Sequence, residues 1–481
     1  MAGLNQLLKR PRVGGKVLFD REKLSENQGN IVDYVRIPTY VLPFDYATAG
    51  GIPCNVTTQF YGPFQAGKTS LAYMAAKGLS HTCLRCFQPV GKCKCPQKTF
   101  IKTCPTCGKP FGECSHKSDP IELCETCGKP RLECTCKSRL IQKTFLCHLE
   151  GMPPDDLYFE TLGYDPSNLV IGLPEYGEQA CEMIEAAIKS DDCGLVIVDS
   201  IAGIVPREEL ECAYEDAKVA MQARLIARLF RRISPILVQE YRRGHLLGVI
   251  FINQVRSNIG GGRFDPGETT PGGWAAKHGH RLSVRINQLS VDASSGEKDK
   301  ADGMKNVARF SCSMLGSESK QQMLILAGKA EYKIVLRDWE GYQSGSILDA
   351  NTCITLAKEN GFLQKSNGIY SFKGTGITAR VLSDIEQIFR SNEFVNPTTG
   401  EVISGAADIL RFMTVRYAKY NAIKDIIARN RKITQVKNPQ QAQPTAPTEQ
   451  SEHSEAETES PQVQPEPQPE PHDAEQEQSE E

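Results

Sequence analysis

The strongest chemical signal in the sequence is a glycine-rich loop that ends in a lysine and a threonine. Residues 62–69 read Gly-Pro-Phe-Gln-Ala-Gly-Lys-Thr, which fits the phosphate-binding pattern G-x-x-x-x-G-K-[ST]. The glycines let backbone N–H groups surround a phosphate, the lysine reaches the outer phosphates, and the threonine binds magnesium. A chance glycine turn is the alternative, which a strand ending at Tyr61 and a helix beginning near Lys68 disfavour. The predicted nucleotide contacts are Gly62, Pro63, Phe64, Gln65, Ala66, Gly67, Lys68, Thr69 and Ser70.

Two acidic residues end apolar runs that are typical of buried strands. Asp199 follows the run 195–198, and Glu150 ends the run 144–150. The carboxyl ends of parallel strands meet at one edge of a sheet, so we expect both acids beside the phosphate loop. There Asp199 would orient the magnesium shell, and Glu150 would activate water as a general base. The alternative for each is an ordinary acid at a strand end.

The cysteines are concentrated in one segment. Of 18 cysteines, 11 lie between Cys83 and Cys136, in three units of spacing C-x2-C-x6-C-x-[CH]. Four N/S donors per unit match tetrahedral zinc and leave no open position for catalysis, so we predict about three structural zinc sites. Free thiols or a redox relay are the alternative, and ligand pairing across units stays open. The predicted ligands are Cys83, Cys86, Cys93, Cys95, Cys104, Cys107, Cys114, His116, Cys124, Cys127, Cys134 and Cys136.

The elements that must position these residues alternate along the chain. Short β-branched or aromatic runs alternate with helical patterns, including one over 218–243 with a basic outer face, which predicts an α/β fold with a mostly parallel sheet. A small α+β segment and a tail of Pro, Gln, Glu and Ser follow, and we expect the tail to be disordered. The predicted organisation is an N-terminal arm (1–30), a core (31–345) interrupted by a zinc-binding insert (81–142), a C-terminal domain (346–436) and an acidic tail (437–481).

The formal net charge of −2 hides two opposite parts. Residues 438–481 hold 12 acidic residues and no Lys or Arg, so the preceding residues, with 56 basic and 46 acidic side chains, carry +10. A basic body is typical of a protein that binds nucleic acid. The acidic tail is expected to compete with DNA for this basic body; a solubilising tail or a protein-docking site is the alternative. No apolar run is long enough for a bilayer, and the N-terminus lacks a signal-peptide pattern. We therefore expect a cytoplasmic protein, of a bacterium or a phage-infected host.

Several motifs follow one another in a fixed order along the chain. The series is AGGIP (49–53), the phosphate loop, the strand before Glu150, GEQA (177–180), VIVDSIAGIVPREELE (196–211), VIFINQVRSNIG (249–260) and ETTPGGWAAK (268–277). This series resembles the RecA family of homologous-recombination ATPases, and the similarity covers about residues 38–80 and 143–376. The resemblance implies a RecA-like P-loop ATPase core, ATP and magnesium as cofactors, and a helical filament of copies of the chain on DNA.

The resemblance also assigns individual roles. It implies catalytic roles for Lys68 and Glu150, and a γ-phosphate sensor, linked to a DNA loop, in Gln254. Adenine contacts are implied for Asp155 and Tyr158, whose alternative is a polar turn beside a core tyrosine. The implied DNA loops span about 206–222 and 255–275; without the resemblance, the second would be simply a mobile glycine-rich loop. The implied DNA contacts are Arg256, Asn258, Gly260, Gly261, Gly262, Arg263, Thr269, Thr270, Gly272, Gly273 and Lys277.

The sequence departs from the family in three places. Phe64 stands where the bacterial proteins carry Glu. Of two lysines that reach the neighbouring subunit's ATP, only Lys320 is matched, with Gln322 at the second site. The N-terminal segment offers no assignable polymerisation contact.

The resemblance implies a DNA-dependent ATPase that forms filaments on single-stranded DNA and promotes homologous pairing and strand exchange. A hexameric RecA-fold helicase and an ATP-binding recombination mediator are the alternatives. The FINQ strand followed by ETTPGG favours the recombinase, and the complete catalytic set disfavours a mediator. Double-stranded DNA is a second expected partner. For the insert, contact with DNA, contact with a single-strand-binding or mediator protein, and structural elaboration all stay open, because zinc thiolates nearly cancel its basic excess.

Overall fold

The protein is described by a computed structural model. Its chain forms two compact units, Met1–Arg431 and Lys432–Glu481. In the second unit only residues 432–437 are described. The described residues are 31–32, 34–82, 100–103, 107, 121–124, 142–152, 156–212, 221–257, 268–273, 279–290, 305–316 and 322–437.

The described elements are numbered here in chain order. The strands are β1 (Ile31–Val32), β2 (Arg36–Ile37), β3 (Ile52–Pro53), β4 (Thr57–Gly62), β5 (Phe100–Thr103), β6 (Ile121–Cys124), β7 (Lys143–His148), β8 (Leu169–Gly172), β9 (Cys193–Asp199), β10 (Gly248–Gln254), β11 (Arg256–Ser257), β12 (Glu268–Thr269), β13 (Leu282–Leu289), β14 (Val307–Gly316), β15 (Gln322–Met323), β16 (Lys329–Val335), β17 (Leu363–Ser366), β18 (Ile369–Phe372), β19 (Thr378–Ala379), β20 (Glu393–Val395) and β21 (Val402–Ser404). The α-helices are α1 (Leu42–Ala47), α2 (Lys68–His81), α3 (Asp156–Thr161), α4 (Gly177–Lys189), α5 (Arg207–Glu211), α6 (Met221–Arg242), α7 (Ala350–Glu359), α8 (Leu382–Ser391) and α9 (Ala406–Lys437).

One sheet of eight strands forms the centre of the first unit. Its order is β16-β14-β13-β4-β10-β9-β7-β8. The six strands from β13 to β8 are parallel to one another, whereas β14 pairs antiparallel with both of its neighbours. The prediction of an α/β fold with a mostly parallel sheet is therefore confirmed. The predicted domain boundaries stay predictions.

Helices cover both faces of the sheet because its strands alternate their side chains between two cores. Along β9, Leu195 and Ile197 face the cluster that contains the buried side of α2, and Val196 and Val198 face the cluster that contains α4 and α6. Buried residues form both clusters, and this continuous apolar packing is typical of a parallel sheet that is covered on both faces.

The long basic helix α6 has an apolar stripe that packs on the second core. Its buried side chains recur at helical spacing: Ile226, Leu229, Phe230, Ile233 and Leu237. The opposite face exposes arginines, namely Arg224, Arg228, Arg231 and Arg232. Its described span agrees with the helix predicted over 218–243.

A third core lies under the C-terminal elements of the first unit. Buried side chains of α7, α8 and the first half of α9 pack together there with the short strands β17 to β21 and with Leu42 of α1. Within the described residues, no helix has both the length and the apolar composition needed to cross a membrane.

Candidate nucleotide site and nucleic-acid loops

The candidate site lies where four parallel strands end at one edge of the sheet. The register pairs Gln254 at the end of β10 with Gly62 at the end of β4. In the same way, His148 at the end of β7 pairs with Asp199 at the end of β9, and Glu150 follows two residues after His148. Strand pairing thus brings together polar residues that are up to 192 positions apart in the sequence.

The phosphate loop depends on glycine at both of its ends. A Cβ at Gly62 would lie 2.0 Å from the carbonyl oxygen of Ile286, and one at Gly67 would lie 2.6 Å from the ring of Phe310. Gly67 also has a φ of 81°, in the left-handed region. The loop therefore passes close to β13 and β14, and leads directly into α2, whose first N–H groups lack partners within the helix.

The loop's middle residues differ in exposure. Pro63, Phe64 and Gln65 are exposed, whereas Ala66 is buried. Phe64, at the position where the sequence departs from the RecA pattern, is 80% exposed.

Lys68 is nearly buried, and its ammonium group lies within the loop. Its Nζ donates hydrogen bonds to the carbonyl oxygens of Gly62 at 3.2 Å and Pro63 at 2.6 Å. Burial lowers the pKa of Lys68, and the nearby carboxylates of Asp199 and Glu150 oppose that shift. The positive charge is thus held where phosphate oxygens would approach the loop.

Thr69 and Asp199 form the second part of the site. The Thr69 hydroxyl donates a 2.9 Å hydrogen bond to Oδ2 of Asp199. Burial raises the pKa of Asp199 above its ordinary value, and the Thr69 hydroxyl acts in the opposite direction. None of the described ion pairs involves Asp199. Two oxygen donors, one on a buried carboxylate, are a ligand set that fits magnesium.

Glu150 receives two hydrogen bonds on one carboxylate oxygen. The Nε2 atom of Gln254 donates to Glu150 Oε1 at 2.8 Å, and the hydroxyl of Ser200 donates to the same atom. The structure therefore brings together the three predicted residues Glu150, Asp199 and Gln254, through the strand ends described above. Sequence reasoning missed Ser200, whose only signal is that it directly follows Asp199.

Tyr158 lies on α3, beside the first turn of α2. Its hydroxyl shares a 2.8 Å hydrogen bond with the hydroxyl of Ser70. The ring packs edge-on against Tyr73, with 6.0 Å between centroids, and the residue is 36% exposed. An aromatic side chain thus lies next to the phosphate loop, as a base-stacking residue requires. The other predicted adenine contact, Asp155, lies outside the described residues.

The second candidate DNA loop is tied to the site at its base. Strands β11 and β12 pair Arg256 with Thr269, so the two ends of the loop meet. The Nδ2 atom of Asn253 donates a 3.0 Å hydrogen bond to the carbonyl oxygen of Pro271. Asn253 directly precedes Gln254, so the residue that contacts Glu150 and the residue that holds the loop are neighbours on β10. Sequence reasoning missed Asn253.

Only part of the predicted DNA set falls within the described structure. Gly272 is buried, Gly273 is exposed, and Thr270 is intermediate. A Cβ at Gly273 would lie 3.4 Å from Cβ of Ala223 on α6, so this end of the loop lies against α6. Of Arg256 and Thr269 only the backbone is described. The remaining predicted contacts, outside the described residues, are Asn258, Gly260, Gly261, Gly262, Arg263 and Lys277.

The predicted zinc ligands lie almost wholly outside the described residues. Cys107 is exposed in a turn. Cys124 ends β6, which pairs antiparallel with β5. The zinc sites therefore stay a prediction. The ligands outside the described structure are Cys83, Cys86, Cys93, Cys95, Cys104, Cys114, His116, Cys127, Cys134 and Cys136.

A different group in the described part of the chain has side chains that metals use. Oxygen and nitrogen atoms of Asp191, Glu240 and His245 lie within 4.8 Å of one another. Arg243 donates to Asp191 at 3.0 Å and to Glu240 at 2.9 Å, and both ring nitrogens of His245 face acceptors, Glu240 and the carbonyl oxygen of Cys193. These contacts join the group into a hydrogen-bonded network around Arg243 and His245.

Comparisons with known proteins find similarity to RecA proteins. Residues 145–310 match the RecA N-terminal domain. The chain is 28% identical to Protein RecA of Heliobacterium modesticaldum over 257 residues, which are 53% of this chain and 67% of that protein. It is 32% identical to Protein RecA of Streptomyces coelicolor over 220 residues (46% and 52%), and 40% identical to that of Aquifex pyrophilus over 144 residues (30% and 40%). The alignments thus span about half of the Streptomyces protein and two thirds of the Heliobacterium one. They confirm the resemblance to the RecA family.

Proposed function

From the premise that the chain has a RecA-like core, we propose that it is a DNA-dependent ATPase of homologous recombination. It assembles as a filament on single-stranded DNA and promotes pairing and strand exchange with homologous double-stranded DNA. The cytoplasm of a bacterial cell, infected or not, is the compartment where it acts. The identity to RecA proteins and the arrangement of the site support this proposal.

The observation that carries the proposal is the contact between Glu150 and Gln254. Gln254 donates to Glu150 at 2.8 Å and is followed, one residue later, by the strand that opens the candidate DNA loop. A helicase or a simple nucleotide-binding module also needs a phosphate loop. The FINQ strand followed by ETTPGG favours the recombinase, and the glutamine of that strand is the residue that contacts Glu150.

In the proposed mechanism each polar residue has one task. Lys68 neutralises charge on the β and γ phosphates of ATP, and Tyr158 covers a face of the adenine ring. Thr69 and Asp199 would hold magnesium, which would supply positive charge against the phosphates when it is bound. Glu150 accepts a proton from the attacking water as the water oxygen bonds to the γ phosphorus. The bond between the γ phosphorus and the β–γ bridging oxygen breaks, and its electron pair leaves on that oxygen with ADP. Gln254 reports the state of the γ phosphate to the loop.

The remaining partners follow from charge and composition. We propose that the zinc-binding insert and the acidic tail modulate access to DNA or hold a single-strand-binding or mediator protein. The tail carries 12 acidic residues on a chain rich in Pro and Gln. Such a segment lowers the affinity of a basic body for duplex DNA most at low salt.

The test is ATP hydrolysis by the full chain with and without single-stranded DNA, together with a strand-exchange assay between homologous substrates. Glu150→Gln keeps the size of the side chain and removes the base, so we expect hydrolysis to fall by about 100-fold or more. Glu393→Gln, at an exposed position on β20, is the matched control. We expect it to leave hydrolysis unchanged.

Electron microscopy with single-stranded DNA and ATP adds the assembly state. Helical filaments support the proposal, whereas closed six-membered rings would indicate a helicase. Absence of DNA-stimulated hydrolysis in a fully zinc-loaded preparation would favour a mediator instead.

A further inference from the structure

Ser200 makes a contact that the proposed mechanism does not use. The residue follows Asp199 at the end of β9, and its side chain is fully buried. Its hydroxyl donates a hydrogen bond to Oε1 of Glu150. The acid proposed to hold magnesium and the donor to the proposed base are therefore consecutive residues.

The two donors to Glu150 share a single oxygen. Ser200 and Gln254 both donate to Oε1, and among the described contacts Oε2 receives no hydrogen bond. Two donors on one oxygen fix the plane of a carboxylate and leave its second oxygen available. Oε2 is therefore the atom that can accept a proton from water.

The two donors differ in how firmly they are held. Gln254 reaches Glu150 with a long side chain that is partly exposed. Ser200 has a short side chain at a buried strand end, and its carbonyl oxygen accepts a 3.0 Å hydrogen bond from the N–H of Gly203. Because few rotatable bonds separate its hydroxyl from the sheet, Ser200 is the donor that keeps its place when Gln254 changes partner.

We propose that Ser200 is a positioning residue that holds the Glu150 carboxylate with Oε2 directed to the water. The inference rests on the proposed function, because it concerns the same hydrolytic step. None of the described hydrogen bonds joins Ser200 to the phosphate loop or to either candidate DNA loop. It acts through Glu150, so its effect belongs to the rate of hydrolysis and not to nucleotide binding.

The test is Ser200→Ala, assayed in the full chain with ATP and single-stranded DNA. A hydrogen bond to a charged group corresponds to about a 10- to 100-fold change. We expect kcat to fall by that factor, while KM for ATP and the affinity for a non-hydrolysable ATP analogue stay within about 2-fold. Ser200→Cys keeps the size but donates weakly, and should resemble Ser200→Ala. Ser391→Ala removes a hydroxyl at an exposed site on α8, and should leave kcat unchanged.

A double-variant cycle separates positioning from a general structural role. If Ser200 acts through the carboxylate, Ser200→Ala should lower the residual single-turnover rate of Glu150→Gln by less than about 2-fold. If the two substitutions lower the rate of the double variant by independent factors that multiply, the inference is wrong. It is also wrong if Ser200→Ala has a normal kcat. If Glu150→Gln itself keeps the wild-type rate, the proposed function fails, which is a different result. Retained analogue affinity shows that the variants are folded.

Discussion

The hydroxyl of Thr69 lies 2.9 Å from Oδ2 of Asp199, although the two residues are separated by 130 positions in the sequence. One comes from the first turn of α2 and the other from the end of β9. The contact joins the helix that follows the phosphate loop to β9, which is separated from β4 by β10 in the sheet. It also places the two oxygens that are proposed to bind magnesium side by side at a helix N-terminus, where the helix dipole favours the phosphates that the ion would accompany.

We expect Thr69→Ala to raise the magnesium concentration that ATP hydrolysis requires. The substitution removes one oxygen ligand, so the magnesium concentration that gives half-maximal ATP hydrolysis should rise by about 10-fold or more. Thr69→Ser keeps the hydroxyl and should restore the wild-type value. Thr398→Ala, in an exposed turn, is the control. An unchanged magnesium titration in Thr69→Ala would remove this residue from the metal site.

Asn253 provides a separate prediction about the DNA loop. Its side chain donates to Pro271 and accepts from the N–H of Gln254 at 3.0 Å, and the residue is fully buried. Asn253→Ala releases the base of the loop, so the loop loses a fixed position relative to β10. We expect affinity for single-stranded DNA, measured by fluorescence anisotropy, to fall by about 10-fold, with hydrolysis in the absence of DNA changed much less.

Asn253→Asp separates the two contacts. It keeps the acceptor for the Gln254 N–H but loses the donor to Pro271. If the link to Pro271 matters, Asn253→Asp should bind DNA as weakly as Asn253→Ala. Wild-type DNA affinity in both variants would show that the loop is positioned by other residues.

Much of the site could be predicted from the sequence because its residues carry local signals. The phosphate loop is defined by spacing, and Asp199 and Glu150 each end an apolar run, so their position at one sheet edge follows from parallel topology. The order of β13, β14 and β16 at the other side of the sheet has no such local signal. These strands pair antiparallel through contacts that only the folded chain establishes.

Ser200 and Asn253 were not predicted for a related reason. Both are small polar residues at strand ends, and such residues are common without function. Their importance lies in their partners, Glu150 and Pro271, which are 50 and 18 positions away. No local pattern in the sequence marks such a pair, because the two residues become neighbours only when the chain folds.

The buried ion pairs of Arg411 give a prediction about stability. Its guanidinium bonds Asp349 at 2.7 Å and Asp408 at 2.9 Å, and these side chains are almost entirely shielded from solvent. Arg411→Met would leave two carboxylates without their cation, which typically costs about 3–5 kcal/mol. The free energy of unfolding from denaturant titration should fall by that amount. Arg416→Met, exposed on the same helix, should change it by about 0.5 kcal/mol or less.

The zinc prediction is tested by metal analysis of the purified full chain. We expect about three zinc ions per chain, and none after deletion of residues 83–139, since each repeat supplies four ligands. Cys212→Ser removes a thiol outside the repeats and should leave the zinc content unchanged. A chain that is folded but free of zinc, after growth with added zinc, would show that the cysteines serve another purpose.

His280 gives a prediction about pH. It is 3% exposed and packs against the rings of both Phe230 and Phe251, and neither ring nitrogen has a hydrogen-bond partner among the described residues. Burial lowers the pKa of His280 from 6.5 to about 3. Between these values the unfolded chain binds a proton that the folded chain does not. The lowered pKa of His280 therefore has no effect on the free energy of unfolding well above pH 6.5. As the pH falls from 6.5 towards 3, it lowers that free energy progressively.

We expect His280 to lower the free energy of unfolding by about 1.4 kcal/mol per pH unit, or by about 2 kcal/mol between pH 6.5 and pH 5. His280→Leu cannot be protonated, so the difference in unfolding free energy between wild type and variant should shift by that amount in favour of the variant on acidification. Denaturant titrations at pH 7.5, 6.5 and 5.0 measure this difference, in which the contributions of other groups cancel. A constant difference across the three pH values would mean that His280 has the same pKa in the folded and the unfolded chain.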